Sequence, residues 1–320
     1  MIDDRIIEEF TRRAPFALAE ATVLVLAQIG SHSHNTYVPP SDPQAIDDVD
    51  YMLIVVPPAS YTFGIKTWDG LNFQRDELDV VVYSFQKFVR LLLKANPNVL
   101  GLLWLDASSY VQSTYAWHEI LTQRHLFSSR HAYHSFIGYA HGQMQKMESF
   151  DVSVRAEWRD ALGIITACGW TRDQVTSNAH RVMPATTAHT ADEIARAVTT
   201  VQRIHARHFQ GYMGERRKAL VERYGFDTKN AAHLIRLMRM CVEFLRTGRM
   251  QVYRTHDADH IRAIKAGRVP LDAIKAEAEA LFVEARAARD ASPLPEEPDL
   301  VRADELVRYV HLETYGLRYD

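Results

Sequence analysis

The sequence predicts an α+β protein: a small mixed β-sheet with accompanying helices, followed by a mainly helical C-terminal domain. Three observations carry this prediction. Between residues 21 and 84, short β-branched apolar runs alternate with Gly, Pro and polar stretches, the pattern of buried strands. From about residue 107 such runs nearly vanish, and long segments of helical spacing replace them. The 320 residues are 47% apolar and 24% charged, enough chain of ordinary composition to bury one large core or two smaller ones. The change of pattern falls between about residues 105 and 125, so the sheet core is assigned to residues 1–115 and the helical domain to 116–320.

Taken in order, residues 4 to 12 have the spacing of a short amphipathic helix. ATVLVLAQI (21 to 29) reads as a buried strand ending at Gly30-Ser31. His32 to Asp47 is polar and holds Pro39, Pro40 and Pro43, so it reads as loop. Val49 to Val56 is a second strand, stopped by Pro57-Pro58, and Leu78 to Ser84 a third. Gln86 to Lys94 has helical spacing and ends at Asn96-Pro97-Asn98. Helices are expected over 130–148, 152–167, 190–223, 228–247, 272–290 and 301–313, with SPLPEEP (292 to 298) as a break.

The net charge of −3 advertises no global basic field for nucleic acid, although basic residues gather in the second half. Cys168 and Cys241 stand too far apart in sequence for a zinc motif and form no disulfide framework, so they read as two buried thiols in a reducing compartment. No apolar run is long enough to span a bilayer, and MIDDRIIEEF lacks the features of a signal peptide. The expected location is cytoplasmic.

The chemistry concentrates between residues 30 and 80. Residues two apart on a strand share a face, so Asp48 and Asp50 present two carboxylates together. Asp79, opening another strand, is positioned to add a third. Converging carboxylates repel one another unless a cation sits among them; Mg²⁺ takes such hard oxygen ligands, and substrate phosphates complete its shell. Two such ions activate an attacking hydroxyl and steady a leaving pyrophosphate. Gly30 allows close backbone approach, and the Ser31 hydroxyl with nearby N–H groups suits the terminal phosphates of a nucleoside triphosphate. Taken singly, a Gly-Ser turn is usually only a turn, and a D-x-D strand start is usually solvated charge. The order and spacing of the set make it specific.

GSHSHNTYVPPSD, DDVDYMLIVVPPASYTFG and LDVVVYSFQKFVRLLLKANPNVLGLLW resemble the nucleotidyltransferases of the DNA-polymerase-β superfamily. More narrowly, they are similar to a bacterial and phage family with a G-S-H start and a V-P-P after the D-x-D strand. AYHSFIGYAHGQMQKM, GYMGERRKALVERYGFDTKNAAHLIRLMRMCVEFLRTGRM and SPLPEEPD are similar to that family's helical region, so the likeness runs from about 20 to 310. It implies a polymerase-β-type core that moves a nucleoside monophosphate from an NTP, such as ATP, to an acceptor hydroxyl, with two Mg²⁺ or Mn²⁺ ions and release of pyrophosphate (an EC 2.7.7-type reaction). The metal ligands map onto Asp48, Asp50 and Asp79, and the phosphate turn onto Gly30 and Ser31. Sixteen residues separate Ser31 from Asp48, a longer gap than the superfamily's usual one. Asp42 therefore competes for the first-carboxylate role, but only Asp48-Val49-Asp50 leads straight into an apolar strand. RNA, for instance a tRNA-like 3′ end, is the favoured acceptor. Protein nucleotidylation, synthesis of a nucleotide signal, and a silent nucleotide-binding regulator are the alternatives.

In the helical half, Lys229, His233 and Arg236 fall at i, i+4 and i+7 on one helix face, with Arg239 and Arg246 nearby. They read either as a positive wall against the triphosphate or an RNA backbone, or as a solvated face. Tyr133, His134 and Lys146 stand to approach the same cleft or to pack between domains. His32 and His34 flank the Gly-Ser turn, where they suit phosphate or metal contact, or are simply polar. His205 and His208 have no partner motif for zinc. The run Arg216-Arg217-Lys218 is a solvated face unless the acceptor is RNA.

Overall fold

The computed structural model describes residues 2–39, 48–148 and 223–317, plus Cys168, Gln174, Ser177, Asn178, Leu220 and Val221. The expected helix 152–167, that over 190–223 apart from the helical Leu220, Val221 and Arg223, Asp42, His205, His208 and Arg216-Arg217-Lys218 lie outside the described residues, as does the side chain of Lys146. Of the two thiols expected to be buried, Cys241 is buried and Cys168 is exposed. The chain divides into two compact units. One combines Met1–His141 with Ala232–Asp320; the other is Gly142–Ala231.

The first unit holds a five-stranded mixed sheet. Its elements begin with α1 (Asp4–Arg13), β1 (Thr22–Gln28), the four-residue helical turn α2 (Gly30–Ser33), β2 (Val49–Val56) and α3 (Ala59–Thr62). They continue with β3 (Gly70–Arg75), β4 (Leu78–Ser84), α4 (Phe85–Leu93), α5 (Pro97–Leu100), β5 (Tyr110–Ser113), α6 (Tyr115–Thr122) and α7 (Ala132–Glu148). After residue 220 come α8 (Thr228–Thr247), α9 (Ala258–Lys265), α10 (Leu271–Asp290) and α11 (Leu300–Tyr315). The α+β class read from the sequence is the one observed. The loop expected after Gly30 begins as the helical turn α2. Among the described residues two strands, β3 and β5, and four helices, the short α3 and α5 together with α6 and α9, add to the expected set.

The strand order is β3-β4-β2-β1-β5, with β2 and β4 parallel and the other pairs antiparallel. Both edges are blunted: β5 has four residues, and β3 carries Asn72, Gln74 and Arg75. Alternation assigns the faces. Leu53 and Val55 of β2, Val80 and Val82 of β4, and Phe73 of β3 join Ile6 and Phe10 of α1 in one buried cluster. Asp3 caps α1 by accepting from Arg5 N–H, and Phe10 and Phe16 pack around Trp68 at 5.9 and 5.0 Å between ring centroids. Each such ring contributes on the order of 1.5–3 kcal/mol by leaving water. The opposite sheet face therefore receives Asp50, Met52 and Ile54 from β2, and Asp79, Val81 and Tyr83 from β4.

β4 runs directly into α4, whose N-cap Ser84 accepts from Lys87 N–H at 3.2 Å, and α4 buries Phe85, Phe88, Val89 and Leu92. In α8 the apolar positions Leu234, Leu237, Met238, Cys241, Val242 and Leu245 are all buried. Lys229, His233, Arg236 and Arg239 form its half-buried stripe. Among the described residues no helix is long and apolar enough to cross a membrane.

Candidate active site

The site begins where β1 ends. Ile29 N–H donates to Asp50 C=O at 2.8 Å, the last backbone bond before the chain turns. Gly30 follows with φ +66°, a left-handed conformation costly for any residue with a side chain. A Cβ at this position would lie 1.9 Å from Asp50 Oδ2 and 2.7 Å from Asp50 Cγ. Glycine is thus required twice, by the dihedral and by the carboxylate resting against it. Ser31 is buried, and among the described residues its Oγ has no hydrogen-bond partner. A buried hydroxyl without a partner carries a desolvation cost that an incoming acceptor atom would relieve.

Asp50 and Asp79 are register partners on β2 and β4. Paired residues on neighbouring strands share a face at the strand spacing of about 4.8 Å. Asp79 Oδ2 accepts from Gln74 Nε2 at 3.1 Å, its cross-strand partner on β3. Asp48 is half-buried and stands just before β2. The register therefore sets Asp50 and Asp79 side by side. Among the described residues, no three His, Cys, Asp or Glu side chains stand close enough to form a metal cluster.

The segment after Gly30 is held from the far end of the chain. His34 Nδ1 bonds Val252 C=O at 3.0 Å, and its Nε2 faces Arg236 Nη1. This assigns a neutral imidazole: Nδ1–H donates and Nε2 accepts. Desolvation, then the Arg236 charge, push the His34 pKa well below the usual histidine range. Asn35, at φ +55°, donates through Nδ2 to Arg254 C=O at 2.9 Å and accepts through its own C=O from Arg262 Nη1. Lys265 Nζ donates to Thr36 C=O at 2.9 Å.

Arg236 itself donates to two uncharged partners, His34 and, at 3.5 Å, Met240 Sδ. Desolvation, then repulsion from Arg254, lower its pKa to about 10 against the pull of Asp257 and Asp50. A half-buried cation whose bonds among the described residues go to neutral groups, within the field of Asp50, is suited to receive an anion. His233 and Lys265 add to the positive surroundings of His34. Of the expected basic stripe, His233 and Arg236 belong to this unit; Lys229, in the first turn of α8, belongs to the second.

Beneath the clamp lies an ion-pair network. The fully buried Arg254 meets Glu243 at 2.6 Å and Asp257 at 2.7 Å, and Arg239 bridges Asp257 to Glu277. Burial alone would raise the Asp257 pKa, but Arg254 and Arg239 hold it down at about 2. Sequence reasoning passed over Arg254, Arg262, Lys265 and Asn35. The signal was the density of charge in RTHDADHIRAIK, residues 254 to 265, too rich for an ordinary connection. Tyr133 lies under a cation, with Arg289 Cζ 5.5 Å from its ring centroid, and His134 sits edge-on to it at 5.3 Å.

A mixed sheet with paired strand-start carboxylates, and a Gly-Ser turn seated on one of them, defines a polymerase-β-like nucleotidyltransferase. A model of the RNA repair pathway DNA polymerase beta family (RlaP) matches residues 3–167, just over half of the chain, and the chain belongs to that family. No protein of curated function matches significantly. Among solved structures, a nucleotidyltransferase-like protein from Exiguobacterium sibiricum is 9% identical over 97% of this chain and 78% of that one, with a TM-score of 0.24.

Proposed function

We propose that this chain transfers a nucleoside monophosphate from an NTP to the terminal hydroxyl of an RNA strand, releasing pyrophosphate. The observation that carries the reading is Gly30 seated against Asp50, with Asp79 in register beside it. Ser31 and Arg236 offer the donor groups for the triphosphate: a buried hydroxyl without a partner and a half-buried guanidinium held by neutral groups. His233, one turn before Arg236 on α8, extends the same basic stripe. In the step itself, the acceptor oxygen bonds to the α-phosphorus and the bond from that phosphorus to the bridging oxygen breaks. Pyrophosphate leaves with the electron pair, and the hydroxyl proton passes to the Asp79 carboxylate.

The in-register pair Asp50 and Asp79 fits Mg²⁺ or Mn²⁺, because it offers hard carboxylate oxygens beside a glycine turn, with Asp48 and substrate phosphate oxygens left to complete the shell. Asp48, Asp50 and Asp79 would hold the ions, which when bound supply charge neutralisation of the phosphates and acidify the attacking hydroxyl. The protein residues orient: the His34 clamp fixes Arg236, and α2 fixes Ser31.

The test is incubation of purified protein with each α-³²P-labelled NTP, Mg²⁺ or Mn²⁺ and total cellular RNA, followed by gel separation. Label in RNA that disappears with Asp48→Ala/Asp50→Ala supports the proposal. Label on protein moves the acceptor to a protein hydroxyl. Full transfer by the double variant sinks the carboxylate assignment. No label in any fraction, with NTP binding intact, returns the chain to a silent nucleotide-binding role.

A further inference from the structure

A cleft of about 280 Å³ lies over β3 and β4, with Asp69, Asn72, Val81, Tyr83 and Lys87 among its lining residues. It sits on the carboxylate face. Asp79, Val81 and Tyr83 alternate on one side of β4, opposite Gln74, Asn72 and Gly70 of β3. At about 3.3 Å per residue, Val81 lies roughly 7 Å along the strand from Asp79, and Tyr83 roughly 13 Å. The cross-strand partner of Tyr83 is Gly70, which has no side chain to cover the ring. No other residue fits there, since a Cβ would fall 2.1 Å from Val82 O at φ +147°. Asn72 is exposed and brings an amide to the same face. At the rim, Asp69 pairs with both Lys87, at 3.5 Å, and Arg90. One carboxylate shared by two cations leaves the rim net positive.

We infer that this cleft receives the terminal nucleoside of a single-stranded RNA acceptor. This rests on the transferase reading above and adds the acceptor's seat. The volume lies below the usual range of about 300–1,000 Å³ for drug-sized ligands and suits one nucleoside. The base stacks on Tyr83 with its edge toward the Asn72 amide, and Lys87 and Arg90 meet the preceding phosphate. The sugar hydroxyl is directed along β4 toward Asp79. An aromatic floor with a positive rim is the general device for holding single strands.

The experiment measures binding of a short fluorescent single-stranded RNA with a free 3′-hydroxyl to the full chain, by anisotropy, without NTP. Tyr83→Leu should weaken binding about 5- to 150-fold, the loss of one stacked base. Tyr83→Phe, which keeps the stack, should bind like the unaltered protein. Lys87→Gln should weaken binding and lower the salt slope by about 0.7 for one phosphate contact. Thermal melts establish that each variant is folded, and calorimetry with an NTP and Mg²⁺ should give unchanged NTP affinity in Tyr83→Leu. RNA affinity indifferent to both Tyr83→Leu and Lys87→Gln overturns the inference. So does an unaltered protein that binds a free ribonucleoside but no RNA. Failure of the unaltered protein to bind any NTP would instead remove the transferase reading, and would leave the RNA result to be judged by itself.

Discussion

Replacing Gly30 with alanine separates two consequences of a single methyl group. The first is conformational: a non-glycine residue at φ +66° costs about 1–2 kcal/mol. The second is local: the new Cβ would fall 1.9 Å from Asp50 Oδ2 and 3.0 Å from Asp50 Cβ, so the carboxylate must rotate off the turn. Gly316, the C-cap of α11, is the matched control, with φ +64° and no heavy atom within 4 Å of an added Cβ. Both variants should lose about 1–2 kcal/mol, a fall in Tm of roughly 2–8 °C for a unit of this size. Only Gly30→Ala should lose Mg²⁺-dependent NTP binding and transfer, by about 100-fold, the effect of moving a reacting group by about 1 Å. Calorimetric titration with NTP and a thermal melt on both variants make the comparison. Equal NTP affinity in Gly30→Ala and Gly316→Ala would refute the argument that the turn and Asp50 form one site.

Asp79→Asn should reduce transfer by about 1,000-fold, the worth of ~4 kcal/mol of lost charge stabilisation, while the melting temperature changes little; radiolabel transfer reads this directly. Stability should fall on acidification. The folded-state pKa of His34 lies below its unfolded value of about 6.5, so its contribution is complete above that pH and is lost as the pH drops toward the folded value, at a limiting slope of about 1.4 kcal/mol per pH unit. His34→Gln should flatten this slope in denaturant titrations, leaving the smaller part owed to His311, whose pKa burial also lowers. Arg254→Met leaves Glu243 and Asp257 without their buried cation and should cost about 3–5 kcal/mol, a drop of roughly 6–20 °C in Tm; a drop under about 2 °C would show the network to be dispensable.

The strands that carry the carboxylates were legible because burial on a sheet leaves a strong apolar signature: Val49–Val56 and Leu78–Ser84 were read at their observed limits. α8 was equally plain, since twenty residues of helical spacing average out local noise. β3 was missed because its edge position lets Asn72 and Gln74 face away from the core, which breaks the apolar run. β5 is four residues long, too short for any period to register. The pairing of Asp50 with Asp79 needed the strand order, which spacing along the chain does not encode. The contact of His34 with Arg236 joins positions 202 residues apart, and no local pattern announces it. Gly30 and Asp50 were each readable in advance; the contact that binds the choice of one to the other was not.

The clamp on residues 34 to 36 comes from residues 236 to 265, so the two halves of the site are made at very different moments of synthesis. A nascent chain that has emerged only as far as residue 141 already carries Gly30, Ser31 and all three aspartates. It keeps the local bond from Ser33 Oγ to Gly30 C=O but lacks Arg236, Arg262 and Lys265, which hold residues 34 to 36 from afar. Such a chain presents the paired carboxylates without the buried guanidinium that faces the turn in the finished fold. The clamp is thereby incomplete until α9 has been translated, and products truncated before that point carry the Gly-Ser turn and the paired carboxylates without the contacts that hold residues 34 to 36.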